Sequence, residues 1–346
     1  MIEKNAVNSQ WYDDNLARYE TLGEIIESML RREIENEKLI IHDLSLRVKN
    51  KDSFLKKCIQ KNYSDLGSQM TDFVGLRIIA YTTADVDTAC RIVEHLFEID
   101  TSNSRDKAVD LGGDKVGYLS RHYVVSLGAE RQAFPEYRDI CNLKAEIQIR
   151  TILQHAWAEI EHDREYKFSG KLPLNIYRRF HLTAGILELI DAEFQRLSDA
   201  IDEYKIHVKD SIESGNLNDI SIDTVSLAEF LDEHFSEIVF DKSFDDYQEI
   251  FVELEKYGIS TMKDLDDLLT LKLRNYITSY YQNNEESANI NYTFFLRSIM
   301  ILTDAKKYFD KVWQKDSWEC ETKETLAFWS EYGVNAELIH KYISII

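Results

Sequence analysis

Lys144 to Lys167 reads KAEIQIRTILQHAWAEIEHDREYK, and its two halves follow different periods. In the first seven residues Ala145, Ile147 and Ile149 alternate with Lys144, Glu146, Gln148 and Arg150, the pattern of a strand with one apolar and one polar face. Four polar or charged groups side by side are costly to pack against a core, so that face looks into water or into a cleft holding a charged ligand. From Thr151 the apolar residues Ile152, Leu153, Ala156, Trp157 and Ile160 recur at helical spacing, leaving His155, Glu159, His162 and Tyr166 on the opposite stripe. A strand therefore runs directly into a helix, with Glu146 near the strand's middle.

Three more blocks precede this one: Arg47-Val-Lys49 with Ser53 and Lys57, then Asp72-Phe-Val-Gly75-Leu-Arg77, then Gly117-Tyr118-Leu-Ser120-Arg121-His122. In this order, and followed by EIQIRT and a Trp-Ala helix, they resemble the synthetase domain of the RelA/SpoT alarmone synthetases, the makers of ppGpp and pppGpp. Four ordered blocks over residues 47–167 are a specific match, where one block would be weak. The resemblance implies an α+β fold: a nucleotidyltransferase-like mixed β-sheet flanked by helices, over residues 1–212. An acidic, all-helical accessory domain is expected over residues 220–346, beyond the polar stretch Glu213 to Asp219.

The resemblance also implies a reaction and its residues. Pyrophosphate passes from ATP to the 3'-hydroxyl of GDP or GTP. Arg47 and Arg77 sandwich the adenine, while Lys49, Ser53 and Lys57 hold the ATP phosphates. Asp72 and Glu146 are the catalytic carboxylates and hold Mg²⁺. Lys115, Tyr118, Arg121, His122, Gln148 and Arg150 serve the acceptor nucleotide, with His155 in hydrogen-bonding support behind them. One departure stands out: the family commonly has GYRSLH where this chain has GYLSRH, which moves the arginine two positions along to Arg121. Two alternatives stay open: a toxic relative that modifies tRNA 3' ends or adenine nucleotides, and a non-catalytic nucleotide sensor. Intact Asp72 and Glu146 argue against the sensor.

Composition bounds the rest. A length of 346 residues suits about two domains, and 44% hydrophobic residues with 12% aromatics suffice for sizeable cores. The net charge of −21 argues against a general nucleic-acid binder, since that affinity comes mostly from phosphate neutralisation. Residues 1–170 hold 23 basic and 29 acidic side chains, which leaves −15 for the remainder. Residues 45–77 are the basic island, with seven Lys or Arg against three Asp; residues 45–61 of it are read as a turn and helix, and 74–81 as a strand. No apolar run approaches the ~20 residues of a membrane span, and MIEKNAVNSQ lacks a signal peptide's apolar region, so a cytoplasmic protein is expected.

Cys58, Cys90, Cys141 and Cys320 have no zinc-site spacing and read as reduced. The pair His42-Asp43 imitates a hydrolase metal motif. Only about 40 residues precede it, too few for that helical domain, so synthesis without hydrolysis is expected. The expected partners are ATP and GDP or GTP, with tRNA under the toxin alternative alone. A homo-oligomer is left open, and the accessory domain's protein partner is unknown.

Further helices are expected over residues 11–41 and 84–96, and over 174–207 with an apolar stripe of Ile176, Phe180, Ile186, Leu187, Ile190, Phe194, Leu197 and Ile201. Others are expected over 227–238, 244–257, 262–281 and 292–313, and over 322–346 with a break near Gly333. Trp313, Trp318, Phe328 and Trp329 read as core of the accessory domain.

Overall fold

Alternation of apolar and polar residues builds a six-stranded mixed sheet at the centre of the first half of the chain. A computed structural model describes residues 2–106, 120–168, 173–218, 220–241, 247–283, 290–314 and 320–345. By their internal packing they form two units, Met1–Asp199 and Ala200–Ile346.

In the first unit, α1 (Ile2–Asn36) leads into β1 (Ile41–Val48), then α2 (Lys51–Lys61), the short α3 (Leu66–Gln69), β2 (Val74–Ala80) and α4 (Thr83–Leu96). The two-residue strands β3 (Glu98–Ile99) and β4 (Arg105–Asp106) follow, then β5 (Arg121–Ser126), β6 (Ala145–Thr151), α5 (Ile152–Phe168) and α6 (Leu174–Glu213). The strand order is β1-β2-β6-β5-β3, with β4 paired to β5. β2 and β6 are parallel, and the other pairs are antiparallel.

One face of this sheet is core. Leu44, Val74, Leu76, Ile78, Ala145, Ile147 and Ile149 are buried there, with Tyr19, Leu22, Ile26 and Leu30 of α1 and Ala89, Ile92 and Val93 of α4 in the same cluster. α1 approaches β1 so closely at Gly23 that a Cβ there would lie 2.7 Å from Leu46 Cδ1, so a side chain would require Leu46 to shift. α4 is fixed at its start by a capping box between Thr82 and Asp85. Asn50 caps α2 through Ser53 N, and Asn62 ends it at φ +50°, a conformation that asparagine tolerates better than most residues.

The structure departs from the sequence reading at three places in this unit. The basic segment expected as turn and helix begins as a strand: Arg47 stands on β1, whose Leu44, Leu46 and Val48 share the core side. On α5 only Trp157 of the expected apolar stripe is buried, and Ile160 is exposed. The expected core stripe of α6 also points outward, with Ile186, Ile190, Phe194, Leu197 and Ile201 exposed.

The second unit has its own core, built by the end of α6 and by α7 (Thr224–His234), α8 (Tyr247–Tyr257), α9 (Met262–Leu268), α10 (Leu271–Asn283), α11 (Tyr292–Lys311), α12 (Lys323–Tyr332) and α13 (Ala336–Ile339). The units divide inside α6, ahead of the polar stretch read as the boundary, because Val208 and Ile212 are buried in the second unit's core. The expected helix over 262–281 is broken at Leu269 and Thr270. Gly258 at φ +87° and Gly333 at φ +119° end α8 and α12, where a residue with a Cβ would be strained.

This unit is not purely helical. β7 (Phe240–Asp241) pairs in parallel with β8 (Ile290–Asn291), and β9 (Cys320–Glu321) with β10 (Ser344–Ile345). Phe328 and Trp329 are core and Trp313 packs against it, as expected, while Trp318 lies outside the described residues. Among the described residues no helix is long and apolar enough to cross a membrane.

Candidate active site

The polar face of the sheet is assembled by register. On β2, Gly75 is the partner of Arg47 on β1 and of Glu146 on β6. Two residues along, Arg77 pairs with Gln148, which in turn pairs with His122 on β5. Arg47, Gly75, Glu146, Arg77, Gln148 and His122 therefore share one face. Among the described residues a Cβ at Gly75 would meet only the Arg47 carbonyl oxygen, at 3.9 Å, which leaves space between the Arg47 and Glu146 positions.

Asp72 sits just before β2, anchored by its neighbour Phe73, which is fully buried among Tyr12, Tyr19 and Phe54. The Lys49 backbone N–H donates to the Phe73 carbonyl at 2.9 Å, and the Tyr12 hydroxyl donates to the Lys49 carbonyl at 3.0 Å. Those bonds lock the end of β1 beside Asp72. Lys49 Nζ and Lys57 Nζ then both donate to Asp72 Oδ2, at 3.0 and 2.5 Å. Burial pushes the Asp72 carboxyl up, but the two ammonium groups outweigh it and hold the carboxyl below the usual value. Asp72 Oδ1 is buried and has no hydrogen-bond partner among the described residues.

Glu146 is held at both oxygens. His122 Nδ1 lies 3.0 Å from Oε1, and Gln148 Nε2 donates to Oε2 at 3.1 Å. Behind them the buried Arg150 donates from Nη2 to Gln148 Oε1 at 2.7 Å and lies 3.5 Å from His122 Nε2. A guanidinium only donates, so Gln148 must turn its oxygen to Arg150 and its NH₂ to Glu146, and His122 Nε2 is the acceptor while Nδ1 carries the proton. Burial pushes the Glu146 carboxyl up; the bonds from His122 and Gln148 outweigh it and bring it below its usual value. The negative charge of Asp72 also acts on Glu146, so the two carboxylates lie within electrostatic reach of each other.

α5 covers part of this face. Arg77 Nη1 donates to Glu159 Oε1 at 3.1 Å, and His155 Nδ1 is 3.9 Å from the same oxygen. Burial, then the charge of Arg77, pushes His155 below its ordinary value, so the ring is neutral near pH 7. The side chain of His162 lies outside the described residues, and among those described no group of three or more His, Cys, Asp or Glu is arranged to hold a metal.

The structure thus brings together Arg47, Lys49, Lys57, Asp72, Arg77, His122, Glu146, Gln148, Arg150 and His155, with Ser53 in the first turn of α2. Arg121 is a correction. Adjacent residues of a strand point to opposite faces, and Arg121, like Tyr123 and Val125, pairs with the core-side residues of β6. Its guanidinium binds Asp87 at 2.7 Å and contacts Cys90, both on α4, so Arg121 braces the far face of the sheet. Lys115 and Tyr118 lie outside the described residues. Sequence reasoning passed over Asp191, which is 4% exposed and accepts from Thr151 Oγ1 at 2.8 Å, tying α6 to the end of β6. Its signal was an acid one helical turn after Leu187 and next to Ile190.

Comparison with known proteins agrees with the motif reading. Residues 46–171 match the model of the region found in RelA / SpoT proteins. The GTP pyrophosphokinase YjbM of Bacillus subtilis is 26% identical over 172 residues, covering 49% of this chain and 78% of that protein. YwaC, a second GTP pyrophosphokinase of that organism, is 24% identical over 160 residues, covering 45% and 73%. A solved GTP pyrophosphokinase family protein from Streptococcus pneumoniae matches 56% of this chain and 96% of its own, at 28% identity and a TM-score of 0.45. Matched region and ordered motifs agree that residues 46–171 are similar to the region found in RelA / SpoT proteins.

Proposed function

We propose that this chain transfers the β,γ-pyrophosphoryl group of ATP to the 3'-hydroxyl of GDP or GTP, giving (p)ppGpp and AMP. The observation that carries this reading is Asp72, paired with Lys49 and Lys57 at the edge of the sheet face that bears Glu146, Arg47 and Arg77. The related proteins named GTP pyrophosphokinases support the same chemistry.

In this reading the hydroxyl oxygen bonds to the β-phosphorus as the bond from that phosphorus to the bridging oxygen of AMP breaks. The proton of the 3'-hydroxyl passes to Glu146, which is ionised near pH 7 and held by His122 and Gln148. Lys49, Ser53 and Lys57 hold the ATP phosphates and offset their charge. Arg47 and Arg77 flank the adenine by stacking. Tyr118 and Lys115 receive the acceptor, with His122, Gln148 and Arg150 forming the wall behind Glu146.

Asp72 and Glu146 suit a divalent cation: among the described residues Asp72 Oδ1 is buried without a partner, and the open side of Gly75 leaves space beside Glu146. Mg²⁺ bound there would neutralise phosphate charge, and two carboxylates leave further positions for phosphate oxygens. Incubating the chain with labelled ATP and GDP, GTP or deacylated tRNA tests the reading. AMP release that requires GDP or GTP is expected. Release with tRNA alone would assign the toxin chemistry, and ATP binding without release would assign the sensor.

A further inference from the structure

Glu159 belongs to the polar stripe of α5, and the reaction described above gives it no part. Its Oε1 accepts from Arg77 Nη1 at 3.1 Å, the one ion pair of Arg77 among the described residues. His155 Nδ1 lies 3.9 Å from the same oxygen, but that ring is neutral near pH 7 and does not compete with Arg77 for the carboxylate. α5 is itself fixed where it presents Glu159. Thr151 and Gln154 exchange hydrogen bonds at its start, at 3.0 and 3.1 Å, and the buried Trp157 packs on Ala184 and Leu187.

The side from which this carboxylate arrives decides what it can do. β2 and β6 run parallel and α5 leaves the end of β6, so Glu159 meets Arg77 from the end of β2, away from Gly75 and its partner Arg47. The lysines assigned to phosphate lie the other way: they hold Asp72, which precedes Val74, and Val74 is about 10 Å along the strand from Arg77. A negative charge at Glu159 is therefore set apart from a triphosphate. The N–H groups of a guanidinium lie in its plane, so a carboxylate bonded to Nη1 holds the edge and leaves both faces open. An arginine held by its edge is ready to stack before a base arrives, and the rotamer freedom of its long side chain is given up in advance.

We propose that Glu159 is a positioning residue of the donor site, fixing the Arg77 guanidinium so that its face forms one wall for the adenine. The inference rests on the assignment of Arg77 to ATP made above. Glu159 touches neither the phosphates nor the acceptor in this arrangement, so it acts on ATP affinity through Arg77 and not on the transfer step.

The test is calorimetric titration of ATP with Mg²⁺ into the full chain, Glu159→Ala, Glu159→Gln, Arg77→Ala and the double alanine variant. Glu159 is 56% exposed, so its loss removes no core. Glu159→Ala is expected to raise Kd for ATP by about 3- to 10-fold, in the range of a partly exposed cation on a ring. Glu159→Gln keeps an oxygen for Arg77 Nη1 and is expected to stay within about twofold of wild type. In the Arg77→Ala background Glu159→Ala should change nothing, because the group it acts through is gone. Steady-state assays of Glu159→Ala should show a raised KM for ATP, with kcat and the acceptor KM unchanged. An unchanged Kd in Glu159→Ala would overturn the proposal, and so would a lower one, which would mean that the ion pair holds Arg77 away from the base. An equal loss with and without Arg77 would overturn it as well. Wild type that binds ATP but releases no AMP would overturn the transfer reaction alone, and wild type that binds no ATP would overturn both.

Discussion

Replacing Glu146 by Gln is the sharpest test of the catalytic reading, because the structure says what the substitution disturbs. The carboxylate accepts from two donors, His122 Nδ1–H and Gln148 Nε2. Neither donor can become an acceptor cheaply, since Arg150 holds Gln148 Oε1 and faces His122 Nε2. The new amide has one oxygen and one NH₂, so its NH₂ must meet one of these donors head on. One unsatisfied, partly buried donor costs ~1 to 2 kcal/mol, which lowers Tm by about 2 to 6 °C. Loss of the proton acceptor should reduce turnover by about 10² to 10⁴. ATP affinity should change little, since Lys49, Ser53 and Lys57 are untouched. The assays are AMP release with GTP, ATP titration by calorimetry, and thermal unfolding. Turnover within tenfold of wild type would remove Glu146 from the mechanism, and an unchanged Tm would show that its two bonds are not both held in solution.

Four other outcomes are expected. Tyr118→Ala should raise KM for the acceptor by about 5- to 150-fold, the equivalent of ~1 to 3 kcal/mol of base stacking, with little effect on ATP; equal effects on both would place Tyr118 elsewhere. Arg121→Ala should lower Tm through loss of its Asp87 and Cys90 contacts while leaving acceptor KM unchanged, and a selective rise in that KM would restore Arg121 to the site. Burial raises the Asp191 carboxyl above its ordinary value, so stability falls as pH rises from about 4, where the unfolded chain ionises first, through the folded-state value; below about pH 4 both states are protonated and nothing is lost. Asp191→Asn should therefore raise Tm at pH 7 and lose that advantage near pH 3.5; a lower Tm at pH 7 would mean that Thr151 requires the anion. A chain ended at Asp219 should stay folded and bind ATP but change in regulation or acceptor range, and failure to bind ATP would make residues 220–346 part of the catalytic core.

The central strand and helix were legible because the period changes sharply at Thr151, and each face of β6 carries residues of one kind. Beyond it the limits are physical. β1 was hidden by its charges: Leu44, Leu46 and Val48 alternate as a strand should, but Arg47 and Lys49 drew the reading toward a helical basic face. Arg121 and His122 were assigned together because they share a motif, yet neighbours on one strand cannot both reach one face. In α6 periodicity correctly marked a stripe. It could not say whether the core or another surface covers that stripe, because both demand the same apolar side chains.

The bonds around Asp72 also bear on how the proposed substrates would assemble. Lys49 and Lys57, the cations assigned to the ATP phosphates, are held by the same carboxylate oxygen, so without nucleotide Asp72 offsets part of their charge and they offset its own. A triphosphate that takes the two ammonium groups leaves both oxygens of Asp72 without a counter-charge, beside an already ionised Glu146. Two neighbouring carboxylates in a partly buried setting are costly unless a cation joins them. Nucleotide and divalent cation should therefore bind with positive coupling, each increasing the affinity for the other by the same factor. Asp72→Asn would break that link: ATP would bind with little dependence on Mg²⁺, because the lysines are then free and no uncompensated carboxylate remains at that position. ATP titrations of both forms with and without Mg²⁺ measure the coupling directly, and an equal Mg²⁺ dependence in wild type and variant would refute it.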